Sequence, residues 1–173
     1  LVHLGKAAQF DIFILSDTRG ADEGQAEEAC YRELAGHLDG VVSIYYRRRI
    51  ENTARKSGNI EDWVERFGGA YENFIILDGD SVMSGEAVVR LARAMEQDPR
   101  AGLIQSIPRL TGGTTLLQRL QQYASNVYGP AVAGGLASWH RDQGNYWGHN
   151  AIIRTAAFAS AAGLPILTGR KPF

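Results

Sequence analysis

The chain holds a single cysteine, Cys30, among its 173 residues. No intrachain disulfide can form, so a disulfide-built secreted scaffold and a cysteine zinc site are both excluded. A lone thiol fits a reducing compartment. Charge of one sign is not in excess either: Lys and Arg total 18, Asp and Glu total 19, and the net charge is −1. That balance speaks against electrostatic capture of nucleic acid, and none is expected as a partner. Long apolar runs are missing as well. A transmembrane helix needs roughly 18 or more apolar residues in a row. The longest apolar-leaning stretch, 116–139, is broken by Gln118, Arg119, Gln121, Gln122, Ser125 and Asn126 and reads as an amphipathic helix. The first residues lack the basic flank and apolar core of a signal peptide. There is no Walker sequence, no Gly-x-Ser-x-Gly, no His-Glu-x-x-His and no Rossmann glycine fingerprint, so a serine nucleophile or a zinc hydrolase has no support. The remainder, 45% hydrophobic and 21% charged, is globular and neither disordered nor fibrous. With no initiator Met and an end that reads as mid-loop, the chain looks like a piece of a longer protein.

Several segments carry a clear pattern. Residues 10–15, 41–46, 74–77 and 103–105 are short β-rich apolar runs, and each is expected to be a strand. Helix patterns fall over 25–37, with an apolar face of Ala26, Ala29, Cys30 and Leu34, and over 60–67, with Trp63, Val64 and Phe67 on one side. A third covers 85–97, bounded by Asp98-Pro99 because proline disfavours helix in the preceding residue. Residues 116–128 form an amphipathic fourth, before a glycine-rich segment at Gly134-Gly135. Apolar Ala151-Ile152-Ile153 reads as a further strand, and 155–162 as a small helix. Strands alternating with helices predict an α/β layered fold with a mostly parallel sheet. No boundary divides the chain, which is read as one partial domain over 1–173.

In such folds the ligand site lies beyond the carboxyl ends of the strands. Asp17 ends the first strand, and Asp78 and Asp80 end the third. Residues two apart in an extended segment point to one side, so Asp78 and Asp80 can face a single point. Paired carboxylates left open to water suit Mg²⁺ or Mn²⁺ bridging to phosphates. A solvated Asp-Gly turn gives the same sequence. Lys56, in Arg55-Lys56-Ser57-Gly58-Asn59, could meet a phosphate at a helix entry. It could equally be a solvated lysine beside an N-cap serine. The run Arg47-Arg48-Arg49 could also meet anions, but three consecutive arginines are more often a solvated strand end. Trp139, Tyr146 and Trp147 could stack on a sugar ring or serve as ordinary core aromatics. His149-Asn150 could bind a ligand or form a structural pair.

The ordered set of motifs is more specific than any member. Ser-Asp-Thr after a strand precedes Ala-Arg-Lys-Ser-Gly-Asn-Ile and then Leu-Asp-Gly-Asp-Ser. Gly-Leu-Ile-Gln-Ser-Ile-Pro, Gln-Gln-Tyr-Ala and Tyr-Trp-Gly-His-Asn-Ala-Ile-Ile-Arg follow. This series, from about Phe10 to Phe173, resembles the family 2 inverting glycosyltransferases of the GT-A fold, the group that includes cellulose synthase. Within it the chain looks most like the bacterial membrane enzymes that build the linear β-1,2-glucose backbone of osmoregulated periplasmic glucans from UDP-glucose. The resemblance implies a GT-A, Rossmann-like fold and a divalent metal, Mg²⁺ or Mn²⁺. It implies a growing glucan as acceptor. It also implies a place at the cytoplasmic face of the bacterial inner membrane, held by helices outside this chain. It implies that Asp17 contacts the uridine, that Lys56 lies near the diphosphate, and that Asp78 and Asp80 form the metal-binding Asp-x-Asp pair, with Asp80 the more direct ligand. Gly148, His149 and Asn150 would line the acceptor side near the donor sugar.

The departures from the family pattern are specific. The family's catalytic base and its Gln-x-x-Arg-Trp-type acceptor motif have no counterpart here, and no Asp or Glu follows Asn150. The first strand of the fold is also without a match, so some apolar surface along the sheet is expected to be exposed. The chain alone is expected not to turn over. Other readings of the same residues are a different family 2 synthase, such as a cellulose-like one, or a non-catalytic nucleotide-sugar sensor. A response-regulator-like domain also clusters acids at strand ends, but the long tail after Ile104 does not fit it.

Overall fold

The computed structural model describes residues 1–162. They fall into two compact units, one formed by Leu1–Glu72 with the chain from Ala159, the other by Asn73–Phe158.

The first unit is built on strands β1 (Asp11–Ser16) and β2 (Ser43–Arg48), which pair in parallel from Asp11 opposite Ser43 to Ser16 opposite Arg48. Parallel neighbours need a crossover, and helix α1 (Ala21–Leu38) supplies it. Helix α2 (Arg55–Phe67) follows. The core is aromatic. Phe13 stacks on its register partner Tyr45 at 4.9 Å between ring centroids and on Phe67 at 5.8 Å, and meets Trp63 edge-on at 5.3 Å. Trp63 and Val64 of α2 are buried, as the apolar face of 60–67 predicts. Tyr71 packs edge-on against Phe13 and donates to the Asp11 carboxylate at 2.6 Å.

Two expectations fail in this unit. The expected apolar face of α1 is turned outward: Ala26, Ala29, Cys30 and Leu34 are all exposed. The side facing the protein carries buried Gly24 and half-buried Glu27, Tyr31, Ala35 and Leu38. Tyr31 stacks on Tyr46, and Glu27 takes hydrogen bonds from the strand ends, so polar groups decide the face. Helix α2 starts five residues before the expected 60, and Ser57 does not cap it. Its N-cap is Ala54, and the Ser57 hydroxyl donates back to the Ala54 carbonyl at 2.7 Å.

The second unit contains β3 (Asn73–Ile76), α3 (Gly85–Gln97), β4 (Leu103–Gln105), α4 (Leu116–His140) and β5 (Ala151–Arg154), with α5 (Thr155–Ala161) next in the chain. Strand order is β3-β5-β4. The α/β reading holds, but strand direction is mixed. β3 and β4 run the same way through the α3 crossover, and β5 fills the slot between them antiparallel to both. Leu91 and Met95 of α3 are buried against Ile152 of β5, with Ile75 and Ile104 beside them. The Ser84 hydroxyl caps α3 by accepting from the Ala87 amide at 3.2 Å. At the other end the Arg154 guanidinium donates to the carbonyls of Met95 and Asp98, which satisfies orphan acceptors of the last turn.

Helix α4 is far longer than the expected 116–128. A capping box at Thr115 and Gln118 starts it, and it continues through Pro130 and Gly134-Gly135 to His140. None of its residues is buried. Exposed apolar surface is therefore concentrated on this helix more than along the sheet edges.

Candidate functional site

The end of β1 is held by charged groups of α1 and β2. Both Asp17 carboxylate oxygens accept from Arg49, from Nε at 2.7 Å and Nη2 at 2.8 Å. The same guanidinium donates to the carbonyls of Thr53 at 3.2 Å and Arg55 at 2.9 Å. Asn52 donates its amide to the Asp17 carbonyl. One arginine thus ties Asp17 to the turn that leads into α2. That turn is strained: Ala54 and Arg55 both have positive φ, 54° and 49°. Gly58 is obligatory beneath it, because a Cβ there would run into the Thr53 carbonyl. Lys56 follows in the first turn of α2 and is exposed. No side chain caps the α2 N-terminus, whose amides and positive dipole end suit an anion.

Glu27 organises the other side of Asp17. Its carboxylate accepts from Ser16 and Thr18, each at 2.5 Å, and from the Tyr46 phenol at 3.0 Å. The Ser16 bond, then the Thr18 bond, hold its carboxyl below the usual range. Arg47, Arg48 and Arg49 do not form the solvated strand end read from the sequence. Strand alternation sends Arg47 to α2, where it pairs with Asp62 and donates to the Asn59 carbonyl at 2.9 Å. Arg48 lies against α1 where Gly24 leaves room. Burial, with the neighbouring Arg66 and Arg49, lowers Arg47 to about 10, so it stays charged at neutral pH.

In the second unit the antiparallel pairing of β3 with β5 sets Ile76 opposite Ala151. The residues leaving β3 and those entering β5 therefore share one end of the sheet. Asn150 donates its backbone amide to the Ile76 carbonyl at 2.7 Å, and its own carbonyl accepts from the Ser106 amide at 3.0 Å and hydroxyl at 2.7 Å. The Gln105 side chain fixes the preceding loop, donating to the His149 carbonyl at 3.3 Å and accepting from the Trp147 amide at 3.0 Å. Gly148 has φ 96° and Asn150 φ 53°. Asp78 is half-buried and Asp80 exposed, and the Ser81 amide donates to the Asp78 carbonyl at 2.9 Å, so residues 78–81 close a turn in place of the extended segment expected to aim both carboxylates at one point. Burial and then the Asp78 carboxylate push the Tyr146 phenol up to about 12, which puts this ring in the field of Asp78. His149 Nδ1 and Asn150 Oδ1 are buried with no hydrogen-bond partner. Asn52 Oδ1, Asn73 Oδ1 and Thr155 Oγ1 are buried without a hydrogen-bond partner as well.

Of the residues picked from the sequence, Asp78, Asp80, Gly148, His149 and Asn150 come to one end of the second sheet. Asp17 and Lys56 flank one turn of the first unit. Asp78 and Asp80 are of the donor type that Mg²⁺ and Mn²⁺ take. They offer hard oxygens, and among the described residues no cluster of three or more His, Cys, Asp or Glu could hold a metal. Water and phosphate would have to complete the shell, as these ions prefer. Sequence reasoning missed Arg49, Glu27, Gln105 and Ser106 as site residues. Arg49 and Gln105 lay inside motifs already singled out, one at a strand end and one in the fourth strand.

No helix among the described residues is long and apolar enough to cross a membrane. No solved structure matches the chain significantly. Three relatives are each named glucans biosynthesis glucosyltransferase H. The one from Xanthomonas euvesicatoria pv. vesicatoria is 56% identical over 98% of this chain and 26% of its own length. The Xylella fastidiosa protein is 56% identical over 100% and 27%, and that of Rhodopseudomonas palustris 57% over 98% and 23%. The chain thus spans about a quarter of the length of the relatives it matches. The family model described as glycosyl transferase family 2 matches residues 8–160, and the chain belongs to that family.

Proposed function

We propose that this chain carries the donor-binding part of a glucosyltransferase. The enzyme would transfer glucose from UDP-glucose, with inversion, onto a growing β-1,2-glucan of the periplasmic type. The observation that carries the reading is the return of the Tyr146–Asn150 loop, through the β3–β5 pairing, to the end of β3 where Asp78 and Asp80 sit. A carboxylate pair and a loop with buried, unpaired polar atoms then share one end of a sheet. The names of the relatives point to the same sugar.

Each residue has a task in this reading. Asp80, with Asp78, would hold Mg²⁺ or Mn²⁺, which supplies positive charge to offset that developing on the departing diphosphate. Asp17 would accept from the uracil imide. A carboxylate has about four acceptor sites, so it can do this while Arg49 occupies two. Lys56 and the uncapped α2 N-terminus would meet phosphate oxygens. Gly148 admits the sugar closely, while His149 Nδ1 and Asn150 Oδ1 would bond hydroxyls of donor or acceptor. The base that takes the acceptor proton is assigned to no residue of this chain. The proposed location is the cytoplasmic face of the bacterial inner membrane, with membrane helices outside this chain.

The test uses membranes carrying the full-length protein, labelled UDP-glucose and Mg²⁺ or Mn²⁺. Wild type should form polymer, and linkage analysis should return β-1,2 glucose. Asp80→Asn should lower transfer by about 100-fold or more. Metal-dependent UDP-glucose binding without any transfer would replace the enzyme with a sensor. Neither binding nor transfer would end the reading.

A further inference from the structure

Three hydroxyl groups converge on one carboxylate at the end of β1. Glu27 of α1 accepts from Ser16 Oγ and Thr18 Oγ1, each at 2.5 Å, and from the Tyr46 phenol at 3.0 Å. Ser16 and Thr18 are the residues on either side of Asp17, and each takes its own oxygen of Glu27. The Thr18 amide also donates to Ser16 Oγ at 3.2 Å, which closes a small turn around Asp17. Arg49 holds both oxygens of the Asp17 carboxylate, and its amide donates to the Ser16 carbonyl at 3.1 Å. A plain anchor for a crossover helix needs no such address. Helix α1 could be tied anywhere along β1 and β2, yet Glu27 ties the two neighbours of one acid.

The arrangement calls for a carboxylate. An ionised carboxylate only accepts, so all three hydroxyls can point at it. Such O–H bonds to a charged oxygen are short and strong, and they hold the Glu27 carboxyl below its usual range. Arg48 lies where Gly24 leaves room and adds its charge nearby. A glutamine amide would aim N–H donors at hydroxyls that now donate, and at least one hydroxyl would have to turn away. The shape would survive, but the hold on Ser16 and Thr18 would loosen. We propose that Glu27 is a positioning residue, which through Ser16 and Thr18 fixes the Asp17 carboxylate in the orientation that reads the uracil imide of the donor nucleotide. This rests on the proposed uracil contact of Asp17 and deepens it. An acceptor set in place beforehand binds more tightly, because its ordering is done before the ligand arrives. Loss of Glu27 therefore falls on uracil recognition and not on the transfer step.

The test titrates purified full-length protein with UDP and with UDP methylated at uracil N3, which lacks the imide donor. Wild type should bind the methylated nucleotide about tenfold or more weakly. Glu27→Gln should weaken UDP binding about tenfold and cut that discrimination to roughly threefold or less, since a misplaced carboxylate gains little from the imide. In transfer assays the variant should raise the KM for UDP-glucose and leave kcat near wild type, the mark of lost uniform binding. Thr18→Val replaces one donating hydroxyl by a methyl of similar size. It should move affinity and discrimination the same way by less, and it carries the test should Glu27→Gln fail to fold. Glu28→Gln, whose carboxylate pairs with Arg32 on the surface, should behave as wild type. A fall in kcat with KM and discrimination unchanged would make Glu27 a plain anchor of α1 and overturn the proposal. Unchanged discrimination in Thr18→Val would overturn it too. Equal binding of the two nucleotides by wild type would remove the uracil contact of Asp17 itself, and the positioning role with it.

Discussion

Arg49 shows how much one side chain can hold together. Its fork grips both oxygens of Asp17 and its remaining donors reach two carbonyls of the strained turn at Ala54 and Arg55. Lysine keeps the charge but cannot reproduce that planar fork. Arg49→Lys should therefore cost about 2 kcal/mol of stability and weaken UDP binding, read by denaturant titration and calorimetry. Unchanged UDP affinity would separate Asp17 from the nucleotide. Glu27 gives a pH signature. Its folded carboxyl titrates below the ordinary value of 4.5 because Ser16, Thr18 and Tyr46 donate to it. Its contribution is complete above that value and is lost as pH falls through the lower folded one. Melting temperature should drop with acid below about pH 4.5, and Glu27→Gln should flatten that part of the profile. The places of Asp17, Asp78 and Asp80 at strand ends were legible in the sequence, while the bridge of Asp17 to Arg49 and the turn closed on the Asp78 carbonyl were not. Glu27 was not, since a glutamate in a helix normally faces water. Only Ser16, Thr18 and Tyr46, brought over it by the β1–β2 pairing, turn it inward.

Elements were legible where an apolar period met its own partner. Helix α3 and the later turns of α2 match their patterns because Leu91, Met95, Trp63 and Val64 are buried. Helix α1 did not follow its pattern, because small apolar residues such as Ala26 and Ala29 offer little area and hydrogen bonds to Glu27 outweigh them. The start of α2 was hidden by its cap. Ala54 at positive φ has no sequence signature, and the nearby serine pointed to the wrong residue. Gly58 carries the signature instead. Gly58→Ala would press a methyl into the Thr53 carbonyl, and overpacking of that kind costs about 1–3 kcal/mol. A chemical melt of the variant should show it, while Gly36→Ala in α1, with open space around it, should be neutral or stabilising. The full length of α4 was missed because Pro130, Gly134 and Gly135 read as breakers. Each glycine costs about 1 kcal/mol and the proline about 3 relative to alanine. In free solution its amides should exchange quickly, and Pro130→Ala, which restores a donor, should slow exchange across residues 126–137. Slow exchange in the wild type would mean that the helix is already covered.

At the scale of the whole molecule, each compact unit has its own core, aromatic around Phe13 in one and aliphatic around Met95 in the other. Asp17 and Lys56 lie in the first unit, and Asp78 and Asp80 in the second. The antiparallel β5 was the part of this plan hidden from the sequence, since an apolar Ala-Ile-Ile run carries no direction, yet it brings Gly148, His149 and Asn150 to the acids. The plan has a consequence for stability. A ligand that binds only the folded chain raises its stability by about 2.7 kcal/mol at 100 times its Kd, roughly 5–10 °C for a chain of this size. UDP-glucose and Mn²⁺ together should produce such a shift, and either alone should give much less. In Asp80→Asn the nucleotide sugar should lose its dependence on metal, leaving only the small shift that Asp17 and Lys56 support. Asp17→Asn should lower the shift with and without metal. If Asp80→Asn kept the full metal-dependent rise, the ion would be held elsewhere and the pair after β3 would be no more than the solvated turn that its sequence also permits.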